Sequence, residues 1–230
     1  MSFHRSGPSY GNRRASVQRL GGLLVALACL LFPAFARAAD PPAKIVALGD
    51  SLTAGLGLPM NASFPAKLAR ALQAKGYAVG ITNAGVSGDT TAGGLARLDW
   101  SVPEGTDAVI LELGANDMLR GLDPKLTKAT LDQILSKLAA RHIPVLLAGM
   151  KAMRNLGSDY AREFDTIYPA LASTHSVVFY PFFLAGVASD PKLNQDDGLH
   201  PNAAGVDVIV ARILPQVEAL IARARAARRP

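Results

Sequence analysis

The chain has 230 residues, half of them apolar, and its 24 Lys and Arg against 18 Asp and Glu give a formal net charge of +6. That length suits one domain with a sizeable core. Five arginines (Arg5, Arg13, Arg14, Arg19, Arg37) and no acid lie in residues 1–38, leaving 19 basic against 18 acidic residues beyond them. The basic excess is therefore no evidence for nucleic-acid binding. The single cysteine, Cys29, lies in the same segment, so residues 39–230 hold neither a disulfide nor a thiol nucleophile.

Residues 1–38 read as a secretory signal peptide, with Arg13, Arg14 and Arg19 ahead of the apolar run Leu20–Phe35 and the small-residue stretch Ala34-Phe35-Ala36-Arg37-Ala38-Ala39. Cleavage is expected after Ala38, with Ala36 and Ala39 as alternatives. The run is short for a membrane span and Pro33 interrupts its end, so no stable membrane anchor is expected after cleavage. Arg13-Arg14 raises twin-arginine export, but Ala15-Ser16-Val17-Gln18 does not strengthen it, and general secretion is the default. Ala26-Leu27-Ala28 is a poor match to the triplet that precedes a lipoprotein cysteine, so Cys29 reads as a buried residue of the signal. Residues 39–230 are expected as a single monomeric domain, periplasmic or secreted from a bacterium.

That remainder alternates short apolar runs with longer amphipathic ones. Strands are predicted at Ile45–Leu48, Val79–Thr82, Ala108–Leu113, Pro144–Ala148 and Ser176–Tyr180. Helices are predicted at Ser63–Lys75, Thr91–Leu98, Pro124–Arg141, Asp159–Thr174 and Ala203–Arg223. Near-continuous apolar strands alternating with helices predict a five-stranded, mainly parallel α/β sheet covered on both faces. The arginines Arg223, Arg225, Arg228 and Arg229 read as a solvated tail at the negative end of the last helix dipole.

In open α/β sheets ligands bind outside the carboxyl ends of the strands. His142 and His175 each precede a predicted strand and should lie at the opposite edge, and His4 leaves with the signal. His200 follows the last strand at the correct edge. At the same edge Gly49-Asp50-Ser51-Leu52 follows the first strand, Asn83-Ala84-Gly85 follows the second, and Gly114-Ala115-Asn116-Asp117 follows the third. Ser51 alone would most simply cap a helix, and Asp197 alone would most simply cap the helix near Pro201, although Asn202 can serve there instead. Together Ser51, His200 and Asp197 supply a nucleophile, a base and a carboxylate to orient the base. Asp196 is a weaker candidate for that last place, because a one-residue shift points it elsewhere. Gly85 lets a backbone N–H approach a substrate oxygen, and the Asn116 side chain offers a second donor.

The four blocks, Gly49-Asp50-Ser51-Leu52, Gly85, Gly114-Ala115-Asn116-Asp117 and Asp197-Gly198-Leu199-His200, resemble those of the GDSL or SGNH hydrolases over essentially all of residues 39–230. Leu113–Leu122 and Asp197–Asn202 bring it nearest to the bacterial periplasmic thioesterase I, lysophospholipase L1 and arylesterase group. The resemblance implies a three-layer α/β/α flavodoxin-like fold. It also implies Ser51 as nucleophile, Asp197 and His200 as its partners, and Ser51 N–H, Gly85 N–H and the Asn116 amide as the oxyanion hole. A Gly-x-Ser-x-Gly elbow is absent: Gly85-Val86-Ser87-Gly88 has the wrong spacing, which disfavours Ser87.

Substrate identity is not written in these motifs. Met118, Leu119 and Leu122 follow the third strand, and Met153 and Leu156 follow the fourth; all five are expected to line an apolar pocket, though Leu122 and Leu156 could equally seal their loops onto the sheet. The resemblance implies broad hydrolysis of short-to-medium acyl esters and thioesters. Two other readings are a carbohydrate acetylesterase of the same family, which would want a polar open cleft, and a non-catalytic flavodoxin-like module holding FMN. Against the latter stand the complete Ser, Gly, Asn and Asp/His set and the missing Ser/Thr-rich phosphate loop. No metal site and no cofactor are expected, since residues 39–230 lack cysteine and paired histidines.

Overall fold

A computed structural model describes residues 1–4 and 41–228. Met1–Asp40 and Pro41–Pro230 separate as two units, and the fold below is that of the second. Residues 5–38 of the expected signal, its cleavage positions, Cys29 and Arg229 lie outside the described residues.

Five strands form the sheet: β1 (Ala43–Gly49), β2 (Val79–Gly85), β3 (Ala108–Glu112), β4 (Val145–Ala148) and β5 (Val178–Tyr180). All neighbours pair in parallel, in the order β2-β1-β3-β4-β5. β3 and β4 are buried along their whole length and β1 at every residue but Lys44, which is why these segments read as unbroken apolar runs. β2 and β5 are the edge strands, and β2 is half exposed. The helices are α1 (Ser51–Ala54), α2 (Phe64–Ala74), α3 (Thr91–Ala96), α4 (Leu98–Ser101), α5 (Ala115–Leu119), α6 (Pro124–Ala140), α7 (Ser158–Asp165), α8 (Ile167–Thr174) and α9 (Ala203–Ala227). α2 and α9 pack together on one face of the sheet, while α3, α6 and α8 pack on one another to cover the other. The architecture is the three-layer, flavodoxin-like α/β/α sandwich.

Strand order places the crevice. The chain leaves β1 for β2 on one side and returns to β3 on the other, so the turns after β1, β2 and β3 converge at the switch point of the sheet. The three blocks ending in Ser51, Gly85 and Asn116 occupy these turns.

Two predicted helices are each broken in two. The segment expected as one helix over Asp159–Thr174 divides at Thr166 into α7 and α8. Pro169 accounts for the break, because it has no N–H for the Asp165 carbonyl and its ring crowds that oxygen. Thr91–Leu98 stops at Ala96 and resumes as α4, leaving Arg97 at the junction. The C-terminal arginines are tied down where a solvated tail was expected. Arg223 donates to the Ser176 carbonyl at 2.6 Å, Arg225 lies 5.8 Å from the Tyr77 ring centroid, and Arg228 pairs with Asp107.

Candidate active site

β1 ends at Gly49, and the chain turns directly into α1. The cap of that helix is Asp50, whose Oδ1 accepts from Leu52 N–H at 2.9 Å. Ser51 is therefore the first helical residue and is free of the capping role; its Oγ lies 2.8 Å from His200 Nε2. His200 Nδ1 lies 2.6 Å from Asp197 Oδ2, while Asp197 Oδ1 accepts from Leu199 N–H at 2.9 Å and His200 N–H at 3.0 Å. These bonds, led by the His200 backbone N–H, lower the Asp197 carboxyl to about 2. An ionised Asp197 holds the imidazole proton on Nδ1 and leaves the Nε2 lone pair facing the Ser51 hydroxyl. The cap of α9 is Asn202, whose Oδ1 accepts from Gly205 N–H at 3.0 Å. His142 and His175 lie at the far edge, before β4 and β5, where His175 Nε2 is 2.7 Å from Asp132 Oδ1.

Gly85 and Asn116 flank the serine. Gly85 pairs in register with Gly49, and a Cβ on it would lie 2.3 Å from the Ala54 backbone nitrogen. Only glycine lets β2 run this close to α1. Gly85 N–H donates to Asn83 Oδ1 at 3.0 Å, and Asn116 Nδ2 donates to the Asp89 carbonyl at 2.9 Å and to Asp50 Oδ2 at 3.1 Å. Both donors thus have protein acceptors and are held in fixed orientation. Gly114, with φ 112°, caps α5 in a left-handed turn that brings Asn116 round to the serine.

Beneath the serine lies a buried acid pair. Asp50 and Glu112 are both fully buried. Glu112 Oε2 accepts from the Thr53 hydroxyl at 2.8 Å, whereas Oε1 finds no donor. Each of these two buried carboxyls, when ionised, disfavours ionisation of the other. Burial pushes Glu112 well above the usual carboxylate range and raises Asp50 to about 6, against the pull of Leu52 N–H, the His200 charge and Asn116. The two carboxyls titrate as a pair and together hold protons more tightly than free carboxylates do.

Comparison with known proteins agrees with this geometry. Residues 47–208 match the model of the GDSL-like Lipase/Acylhydrolase family. The chain belongs to that family. It is 40% identical over 176 residues to an arylesterase of Vibrio mimicus, covering 76% of this chain and 88% of the arylesterase. It is 38% identical over 187 residues to thioesterase 1/protease 1/lysophospholipase L1 of Escherichia coli K12, covering 81% of this chain and 87% of that enzyme. Among solved structures it resembles AlinE4, an SGNH-hydrolase family esterase, at 48% identity and a TM-score of 0.66 over 77% of this chain and 96% of AlinE4. As a family member the chain is a carboxylic ester hydrolase.

In this GDSL-like hydrolase a cavity of about 640 Å³ opens onto Ser51, Asn116 and His200. Met118, Leu119 and Met153 line it, as expected, whereas Leu122 and Leu156 do not. The Leu122 carbonyl receives the Tyr160 hydroxyl at 2.9 Å and its side chain faces solvent, while Leu156 packs half-buried against the core. Apolar wall comes instead from Leu56, Met150, Phe182 and Leu184, and two cations, Lys151 and Arg154, stand among the lining residues. The run Pro181-Phe182-Phe183-Leu184 directly after the last strand, at the same sheet edge as His200, was the signal for the missed part of that wall.

Proposed function

We propose that the protein hydrolyses short-to-medium acyl esters and thioesters by double displacement through an acyl-enzyme on Ser51. The observation that carries this is the continuous relay from Ser51 Oγ to His200 Nε2 at 2.8 Å and from His200 Nδ1 to Asp197 at 2.6 Å, at the mouth of an apolar cavity. His200 takes the hydroxyl proton as Ser51 Oγ attacks the carbonyl carbon, and Asp197 stabilises the resulting imidazolium. The tetrahedral oxyanion is held by Ser51 N–H, Gly85 N–H and the Asn116 amide. Collapse breaks the bond to the alcohol or thiol, which leaves with the proton from His200. Water then repeats the sequence on the acyl-enzyme and releases the acid.

In the free enzyme Gly85 N–H bonds Asn83 Oδ1, and the Asn116 amide bonds Asp50 Oδ2 and the Asp89 carbonyl. That keeps the donors oriented before substrate arrives, which is the source of their advantage over water. The apolar walls favour acyl or aryl esters over acetylated carbohydrate. Residues 1–38 act as an export signal in this reading, and the enzyme works as a monomer in the periplasm or outside the cell.

A series of p-nitrophenyl esters from acetyl to dodecanoyl, with matching acyl-CoAs and acetyl-xylan, tests the reading. We expect kcat/KM to peak at a short-to-medium chain and to fall by about 10⁴-fold or more in Ser51→Ala. Asn116→Ala is expected to lose about 10²–10³ in kcat, as for one oxyanion donor. Turnover persisting at the wild-type rate in Ser51→Ala would overturn the assignment, and a preference for acetyl-xylan would replace the substrate class.

A further inference from the structure

Arg97, buried at the junction of α3 and α4, makes contacts that the catalytic scheme does not use. Its Nη2 donates to the Gly49 carbonyl at 2.8 Å and its Nη1 to the Ala84 carbonyl at 2.8 Å and to Ser101 Oγ at 3.0 Å. Its Nε donates to Asp89 Oδ2 at 2.5 Å. Gly49 lies two residues before Ser51, and Ala84 lies one residue before Gly85. The carbonyl of Asp89 receives the Asn116 amide at 2.9 Å. One guanidinium therefore holds the backbone beside Ser51 and Gly85 and the carboxylate of Asp89, whose carbonyl receives the Asn116 amide, and it stands outside the cavity that would hold substrate.

The cause lies in the sheet. The Gly49–Gly85 pair is the last in the β1–β2 ladder, and the Gly49 carbonyl accepts from Val86 N–H at 3.0 Å just past it. A carbonyl has a second lone pair to offer, and the buried donors of Arg97 must find acceptors of this kind. A planar fork that is always charged can serve two carbonyls and a carboxylate from one rigid position, which an ammonium cannot.

We propose that Arg97 is a positioning residue that sets the mutual spacing of Ser51 N–H, Gly85 N–H and the Asn116 amide, and so acts on the transition state without touching substrate. The inference rests on the acyl-enzyme reading above. Arg97→Lys keeps the charge and loses the fork. Sites are counted by stoichiometric labelling with a p-nitrophenyl alkylphosphonate, so unfolded protein does not enter kcat. On p-nitrophenyl butyrate we expect kcat per labelled site to fall about 10- to 100-fold with KM within about threefold of wild type. In an Asn116→Ala background the further loss from Arg97→Lys should shrink to about threefold, because the two changes damage the same donor set. Asp89→Asn, which removes the charge opposite Nε but keeps the Asp89 carbonyl, is expected to lose about 3- to 10-fold in kcat and serves where Arg97→Lys does not fold.

A merely structural role would lower the labelled fraction and the Tm while leaving kcat per labelled site within about twofold of wild type, and that result overturns the proposal. So does an undiminished Arg97→Lys loss in the Asn116→Ala background. If Ser51→Ala is inactive and Arg97→Lys is normal, only this inference fails; if Ser51→Ala is active, the acyl-enzyme reading fails first.

Discussion

At Gly85 one missing methyl group supports both packing and chemistry. A Cβ there would meet the Ala54 nitrogen at 2.3 Å, the Ala54 Cα at 2.7 Å and the Asp50 carbonyl at 2.8 Å, all of them backbone atoms of the nucleophile turn. Backbone cannot rotate away as a side chain can, so Gly85→Ala must push α1 off β2 and carry Ser51 away from His200. We expect Gly85→Ala to lose about 10²-fold or more in kcat on p-nitrophenyl butyrate and to lower the Tm by several degrees, read by calorimetry. Unchanged kcat would mean that Gly85 does not set the serine's position. The residues with a chemical identity were legible at this scale: Ser51, Asn116, Asp197 and His200 announce themselves by type and by position at strand ends. What was not legible is how their roles are shared out. From sequence Ser51 alone reads most simply as the cap of α1, and only the Asp50-to-Leu52 bond frees the serine. Arg97 carries no signal in a linear pattern, since its partners at Gly49, Ala84 and Asp89 come together only after the sheet forms.

Elements were legible as far as apolar periodicity reaches, and less so where hydrogen bonding decides their ends. All five strands lie where the apolar runs put them; β1, β3 and β4, buried almost throughout, have no polar face to confuse the pattern, whereas half-exposed β2 runs on from Thr82 to Gly85. The break at Thr166 was missed although Pro169 was visible; a proline near a helix start is tolerated, and here the start is its own. The segment that carries the base shows the same dependence. Asn202 caps α9, donates through Nδ2 to the Lys192 carbonyl at 2.9 Å and the Asn194 carbonyl at 3.2 Å, and its own N–H bonds the Leu193 carbonyl. One side chain therefore pins both ends of the loop holding Asp197 and His200. Asn202→Ala is expected to destabilise the protein by about 1–2 kcal/mol in urea melts and to lower kcat more than it raises KM. Asn202→Asp, which keeps the cap and loses both donors, should fall between the two. Equal stability of Asn202→Ala and wild type would show that the loop is held from elsewhere.

Across the whole molecule the buried acid pair couples the site to stability, and the sign can be worked out. Asp50 is raised to about 6 and Glu112 well above its ordinary value, both by burial, so the folded protein holds protons that the unfolded chain has released. Their contribution is full below the unfolded carboxylate range near pH 4 and is lost as pH rises through about 6 and beyond. Asp197, lowered to about 2, acts in the opposite direction: its contribution is full above about pH 4 and disappears as pH falls toward 2. Mild acid should therefore stabilise this fold relative to pH 8 as far as these groups are concerned. Thr53 Oγ1 bonds Glu112, while His200 and Asn116 face Asp50, and Tyr168 is pushed up by burial and by the charges of Asp117, Glu112 and Asp50. Glu112→Gln removes one titrating member of the pair at nearly the same shape, and the glutamine oxygen still accepts from the Thr53 hydroxyl. We expect the Tm of wild type to decline from pH 5 to pH 8, and that of Glu112→Gln to decline less. The difference between the two should then grow with pH, by at most about 1.4 kcal/mol per pH unit for each proton removed from the balance. Parallel Tm curves would show that Glu112 does not carry the pH dependence. Retained kcat in Glu112→Gln at pH 8, beside that altered slope, would show that the active site does not require the acidity of Glu112.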